Sequence, residues 1–228
     1  MLTTQYRMHE IIMAYPSASL YQNKLIAADA VKHRLLKDMP YDVEATEDTG
    51  EPLVFWDTQG GDYPEKIEDD ESAGKGKSLL TESKVNEHEA AIVSHHVSNL
   101  ITAGVKPEDI AIVTPYNGQL APLSSMLKQR FLGIELGSVD GFQGREKEAV
   151  IVSLVRSNPE HEVGFLAEKR RLNGKRVGHA LSLPEVGRFD TMLMWLNCSG
   201  DDSPKTSPVR CWRLGDSCKV SGNHTLLL

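Results

Sequence analysis

The sequence predicts an α/β domain in which a parallel sheet is covered by helices, and three observations carry that expectation. The run Ile110-Ala111-Ile112-Val113-Thr114 is β-branched and apolar on both sides, as a central parallel strand must be. A second buried run, Ala149 to Val155, has the same character. Between and around them, apolar residues recur at helical spacing, so that strand and helix alternate as they do where helices cover a parallel sheet.

In chain order, Ile11 to Leu36 reads as short helices broken by Pro16. Leu53-Val54-Phe55-Trp56-Asp57 reads as a buried strand ended by Gly60-Gly61. Residues from about 61 to 82 form an acidic surface loop, since Glu65 to Glu71 and Ser72 to Ser78 are polar and lack periodicity. Ser83 is placed to cap the next helix, whose residues Val85, Ile92, Val93, Val97, Leu100 and Ile101 share one face. Gly104 and Pro107 stop that helix before the Ile110 strand. Leu120, Leu123 and Leu127 mark another helix, and Ile134 to Val139 another strand ahead of Ala149 to Val155.

Bulk properties set limits. A chain of 228 residues with 40% hydrophobic content holds one α/β domain with a sizeable core, or at most one and a half domains. The net charge of −7 gives no support for a generally basic nucleic-acid-coating protein, although positive potential can be confined to a channel. The apolar runs fall far short of the ~20 residues needed to cross a bilayer, and Met1-Leu2-Thr3-Thr4-Gln5 starts no signal peptide. An intracellular protein with no membrane partner is expected. The cysteines, Cys198, Cys211 and Cys218, all lie near the end of the chain without C-x-x-C spacing, which argues against a disulfide framework and a zinc site.

Ligands of an open parallel sheet bind where loops leave the carboxyl ends of strands. Two such loops stand out: Thr114-Pro115-Tyr116-Asn117-Gly118-Gln119 and Asp140-Gly141-Phe142-Gln143-Gly144-Arg145-Glu146. Gly141 and Gly144 allow close approach of backbone to a ligand, and the Glu146 carboxylate can accept from paired hydroxyls such as those of a ribose. An isolated G-x-x-G loop is more often a plain tight turn, and a Pro-containing turn at a strand end is common. Tyr6 offers an aromatic face for a base and Arg7 a fork for phosphate, although taken alone the pair also suits an interface.

Two apparent signals fail on inspection. Gly74-Lys75-Gly76-Lys77-Ser78 looks like the end of a phosphate-binding loop, but the pattern G-x-x-x-x-G-K-S/T puts its first glycine where Glu71 stands. No apolar strand leads into Asp69-Asp70-Glu71, so these residues do not make a magnesium site. His95 and His96 point about 100° apart on a helix, and no metal site is expected from them or His88. Glu89 lies on the apolar helix face between Val85 and Val93 and needs a partner, for which a structural hydrogen bond or ion pair is the expectation.

Gln5-Tyr6-Arg7-Met8-His9, together with Ser138-Val139-Asp140-Gly141-Phe142-Gln143-Gly144-Arg145-Glu146 and the strand after it, resembles the superfamily 1 helicases of the nonsense-mediated-decay helicase, senataxin and immunoglobulin mu-binding protein type, the last being nearest. The likeness covers about three quarters of the chain and implies the C-terminal RecA-like domain of a helicase core, which belongs to the P-loop NTPase superfamily. It assigns Tyr6, Arg7, Gly144 and Glu146 to ATP, with Arg7 a possible γ-phosphate contact. It assigns Thr114, Pro115, Tyr116, Asn117, Val139 and Asp140 to single-stranded DNA or RNA, where Thr114 and Asn117 would donate to phosphate. Magnesium would be supplied by a first RecA-like domain, the strand would move 5′ to 3′, and the site of action would be nucleus or cytoplasm.

The family pattern stops after Asn173. Relatives continue Val-Ala-Val-Thr-Arg-Ala-Arg into a last core strand, whereas this chain turns to Gly174-Lys175-Arg176-Val177-Gly178. An arginine finger, worth roughly 10³ to 10⁵ in rate in phosphoryl transfer, is thereby lost. The division expected is residues 1–173 as the helicase unit, lacking its final strand and inactive alone, and 174–228 as a divergent, poorly ordered tail. The tail, which holds all the cysteines as well as Trp195 and Trp212, reads as translated intron or a shifted frame, the alternative being a lineage-specific extension. Its segment Phe189 to Leu196 is apolar enough to pack on an exposed sheet edge. Rival readings of the whole are a non-catalytic nucleic-acid- or protein-binding module and an unstable splice product.

Overall fold

The computed structural model describes residues 3–58, 63–67, 83–142, 147–158, 191–196 and 210–213. In chain order these contain β1 (Thr4–Gln5), α1 (Glu10–Leu20), β2 (Ile26–Ala27), α2 (Asp29–Lys32), β3 (Leu53–Asp57), β4 (Lys66–Ile67), β5 (Lys84–Val85) and α3 (Glu87–Thr102). There follow β6 (Ile110–Thr114), α4 (Leu120–Leu127), β7 (Glu135–Ser138), β8 (Ala149–Val152), β9 (Thr191–Leu196) and β10 (Arg210–Arg213).

Six strands make the main sheet in the order β10-β3-β9-β8-β6-β7. Every pairing from β3 to β7 is parallel, and only β10 runs antiparallel, against β3. β1 pairs with β2 and β4 with β5 in two small separate ribbons. The parallel α/β expectation is met.

Alternation along the strands sorts the core into two layers, because successive side chains point to opposite faces. Ala111, Val113, Val150 and Val152 join Met8, Ile12 and Met13 on one face. Ile110, Ile112, Ala149 and Ile151 face the other way, onto Val93, Val97 and Leu100 of α3 and Leu123 and Leu127 of α4. Each of the three strand isoleucines is fully buried, a placement worth roughly 1.5–3 kcal/mol apiece.

Four expectations change. Helix α1 runs unbroken through Pro16, which sits buried inside it. Helix α3 is capped by Asn86, whose side chain accepts from the Glu89 amide at 3.0 Å, so Ser83 and Val85 precede the helix. Ser83 instead accepts from the amide of Gly118. The acidic stretch begins later than Glu65: Lys66–Ile67 pair with Lys84–Val85, and the Glu65 side chain is only 7% exposed. Most of that stretch lies outside the described residues. Finally, the segment expected to pack on an exposed sheet edge lies inside the sheet, β9 being between β3 and β8.

Two glycines are fixed by geometry. Gly137 faces the ring of Phe142, which a Cβ would approach to 2.7 Å. Gly104 ends α3 at φ +103°, and a Cβ there would stand 2.6 Å from the backbone oxygen of Asp42. Gly104→Ala should therefore lower stability by about 1–3 kcal/mol, read as a shifted urea midpoint. An unchanged midpoint would show that the loop at Asp42 yields without cost.

Candidate functional site

The Gln5-to-His9 segment is shaped by one side chain. Gln5 Oε1 accepts from the amides of Arg7 and Met8, each at 2.8 Å, while its Nε2 donates to the Met8 carbonyl at 2.7 Å. The buried amide thus holds a tight turn from within. Tyr6 is left projecting, 67% exposed, with Arg7 half-buried beside it. His9 Nδ1 accepts from the Ile11 amide and caps α1. Met8 is driven into the core, where it shares a cluster with Val139, Phe142 and Leu154. The turn after β1 and the turn after β7 are therefore rooted in the same apolar mass.

In the second turn, Val139 is buried, so anything it offers a ligand comes from its backbone. Asp140 is the next residue of this short helical turn, Val139–Phe142. Gly144 and Glu146 lie outside the described residues.

The Thr-Pro-Tyr turn leaves the neighbouring strand at the same level, Thr114 being in register with Ser138. Thr114 is fully buried and its hydroxyl accepts from the Tyr116 amide at 3.3 Å, so it shapes the turn from inside. Pro115 and Tyr116 are half-buried and Asn117 is exposed. Of the two residues expected to donate to phosphate, Asn117 reaches the surface.

Beneath this turn lies a buried polar network centred on Glu89. Its Oε1 accepts from the Ser153 hydroxyl at 2.8 Å and its Oε2 from the Val155 amide at 2.9 Å. Gln119, fully buried, donates to Ser153 Oγ and to the Asn86 carbonyl and accepts from the Asn86 amide. Asn86 in turn donates to the Val155 carbonyl at 3.3 Å. The expected structural partner of Glu89 is thus found, as hydrogen-bond donors and not as a cation. Burial raises the Glu89 carboxyl to about 7, against the Ser153 hydroxyl and the amides of Val155 and Leu154, which favour the ionised form.

This network holds a strained backbone. Val155 sits at φ +71°, and the Arg156 amide donates to the Leu154 carbonyl at 2.8 Å, closing the rare form of γ-turn around a β-branched residue. Such a conformation costs on the order of 1–3 kcal/mol and persists only where its surroundings impose it. Arg156 then turns back, its Nε 2.9 Å from Glu65 and its Nη1 3.5 Å from the Tyr116 hydroxyl. Lys84 meets the other oxygen of Glu65 at 2.9 Å. Burial disfavours the charge on Glu65, but Lys84, the Ser157 amide and Arg156 outweigh it and hold the carboxyl below its ordinary range.

Sequence reading missed Gln5, Gln119, Ser153 and Arg156 as organising residues. The signals were slight: an amide inside each of two motifs, a serine within the apolar run Ala149 to Val155, and an arginine directly after it. Of the histidines considered for a metal, His88 and His95 are exposed and His96 is buried. His96 is buried edge-on to Trp56, and burial lowers its pKa to about 4, keeping it neutral. Among the described residues, no helix is long and apolar enough to cross a membrane.

Residues 1–175 match the AAA domain family. Over 172 residues the chain is 51% identical to DNA polymerase alpha-associated DNA helicase A of Schizosaccharomyces pombe, covering 75% of this chain and 25% of that protein. It is 46% identical over 173 residues to DNA-binding protein SMUBP-2 of Mesocricetus auratus, covering 76% of this chain and 16% of the relative. A regulator of nonsense transcripts 1 homolog of Neurospora crassa is 36% identical over 181 residues, which make up 75% of this chain and 15% of the homolog. The chain therefore spans a quarter or less of the length of these relatives.

The raised Glu89 carboxyl sets a pH dependence. Between about 4.5 and 7 the folded chain holds a proton that the unfolded chain has lost, so this contribution to stability is complete below 4.5 and disappears as pH rises through 7. Its size is roughly 3 kcal/mol. Chemical denaturation at stepped pH should show the difference in stability between wild type and Glu89→Gln changing across that window, and a constant difference would contradict a buried titrating Glu89.

Proposed function

This chain belongs to the superfamily 1 helicases of the AAA domain family, and from that premise we propose that it supplies the second RecA-like half of a helicase core. Residues 1–173 form that unit, and 174–228 are a divergent tail that donates β9 and β10. The observation that carries the reading is the convergence of three turns. Met8, Val139 and Phe142 share one apolar cluster, and Thr114 is in register with Ser138.

On this reading ATP lies between this domain and a first RecA-like domain that brings the magnesium ion. Exposed Tyr6 stacks on the adenine, Arg7 faces phosphate, and Gly144 and Glu146 complete this wall of the cleft. Single-stranded DNA or RNA runs past Tyr116 and Asn117 and the backbone of Val139 and Asp140, with Thr114 and Pro115 setting the turn. These contacts go to the nucleic-acid backbone and carry no base readout. In the intact enzyme, closing and opening of the cleft draws the strand along 5′ to 3′, in the nucleus or cytoplasm.

Within the 228 residues no G-x-x-x-x-G-K-S/T pattern occurs, and the Thr-Arg-Ala-Arg sequence that carries the arginine finger is replaced after Asn173. The chain by itself should release no phosphate from ATP above background, with or without single-stranded nucleic acid, in a turnover assay. Robust hydrolysis would overturn this assignment of roles. The same chain should bind a single-stranded oligonucleotide in a salt-sensitive way, and Asn117→Ala should weaken that binding several-fold.

A further inference from the structure

Strain at Val155 has no use in the core. The residue is β-branched, its φ is +71°, and the γ-turn it centres follows β8 by only three residues. A chain leaving a parallel strand has cheaper ways to turn, so the geometry calls for a purpose served by what the turn presents. What it presents is Arg156. The guanidinium is carried back across the end of the sheet to the Tyr116 hydroxyl, 3.5 Å from Nη1, next to exposed Asn117. Three separate buried groups enforce this: Glu89 takes the Val155 amide, Asn86 takes its carbonyl, and Gln119 joins Asn86 to Ser153.

We propose that Arg156 is a further phosphate contact on the single strand, and that Glu89 is its positioning residue. The proposal rests on the reading that the Tyr116–Asn117 turn lies along the nucleic acid. Glu65 is the internal competitor. Its carboxylate holds Arg156 Nε at 2.9 Å and Lys84 Nζ at 2.9 Å, and the side chains of Glu65 and Arg156 are 7% and 10% exposed. A backbone phosphate has the same charge and acceptor geometry as that carboxylate. Its arrival beside Tyr116 therefore exchanges one anionic partner of the guanidinium for another, without leaving a buried charge unpaired. In the absence of a strand, Glu65 keeps the cation in place and suppresses indiscriminate capture of anions.

Equilibrium binding of the full chain to a fluorescent oligo(dT) over a series of salt concentrations tests this. Arg156→Gln should weaken binding about tenfold and lower the slope of log K against log salt by about one, while Arg156→Lys keeps the slope. Glu65→Gln should tighten binding several-fold, because the competitor is gone and both cations remain. Glu89→Gln should weaken binding in folded protein, and adding Arg156→Gln to it should cost little more. If Arg156→Gln fails to fold, Glu65→Gln and Arg156→Lys decide the matter. A salt slope unchanged by Arg156→Gln, or Glu65→Gln that is folded yet no tighter, overturns the proposal. Binding that Asn117→Ala weakens and Arg156→Gln does not rejects this inference alone, whereas wild type without salt-dependent binding rejects the underlying track as well.

Discussion

A single buried carboxyl group ties together the turns at one edge of this domain. Glu89 enters the apolar face of α3, where an ionised group is costly, and it is tolerated because a hydroxyl and backbone amides at the end of β8 are aimed at it. The arrangement is reciprocal, since those same amides would be orphaned without it. Gln119 extends the network to the neighbouring turn by exchanging hydrogen bonds with the Asn86 backbone, as a strand would. Each member satisfies another, so the exit of β8, the start of α3 and the turn after β6 cannot shift independently.

The sheet explains why these turns lie together. Parallel strands send all their carboxyl ends one way, and register brings Thr114 and Ser138 to the same level. One sheet face is filled by α3 and α4, and the other receives the turn after β1 through Met8. A segment at the start of the sequence is thereby packed against a turn far along it. Gln5 completes the placement: its buried amide spends its hydrogen-bonding capacity inside the turn and leaves the aromatic ring of Tyr6 outside.

Much of this was legible in the sequence, and the failures have definite causes. The limits of β6 could be read because a buried parallel strand is written as a largely β-branched apolar run, those of β3 because an apolar run closes on a turn signal, and the stop at Gly104 because left-handed backbone selects glycine. The start of α3 was misplaced because Ser83 and Asn86 are both good caps, and the choice between them was made elsewhere, by Gly118 and Gln119. Glu65 reads as solvated charge in a charged run, since its partners Arg156 and Ser157 lie far along the chain. Nothing in a valine announces φ +71° at Val155; that conformation is imposed by tertiary hydrogen bonds and not by propensity. Gln5 was visible within its string, but an amide looks the same whether it faces solvent or holds a turn.

The inner strand β9 separates what a fold demands from what a reaction demands. In the described pairings β3 joins the rest of the sheet only through β9, so an empty slot would cut the sheet in two and expose the ladder of β8. The slot asks for little: a short extended segment, apolar on both sides, able to pair in parallel with two neighbours. Thr191-Met192-Leu193-Met194-Trp195-Leu196 meets those terms although it lies beyond the family match, which ends at residue 175. Backbone pairing is indifferent to which apolar side chains deliver it, whereas an arginine finger must be one side chain at one point in space. A segment outside the family match can therefore complete the sheet, because the slot sets terms of pairing and polarity and not of residue identity.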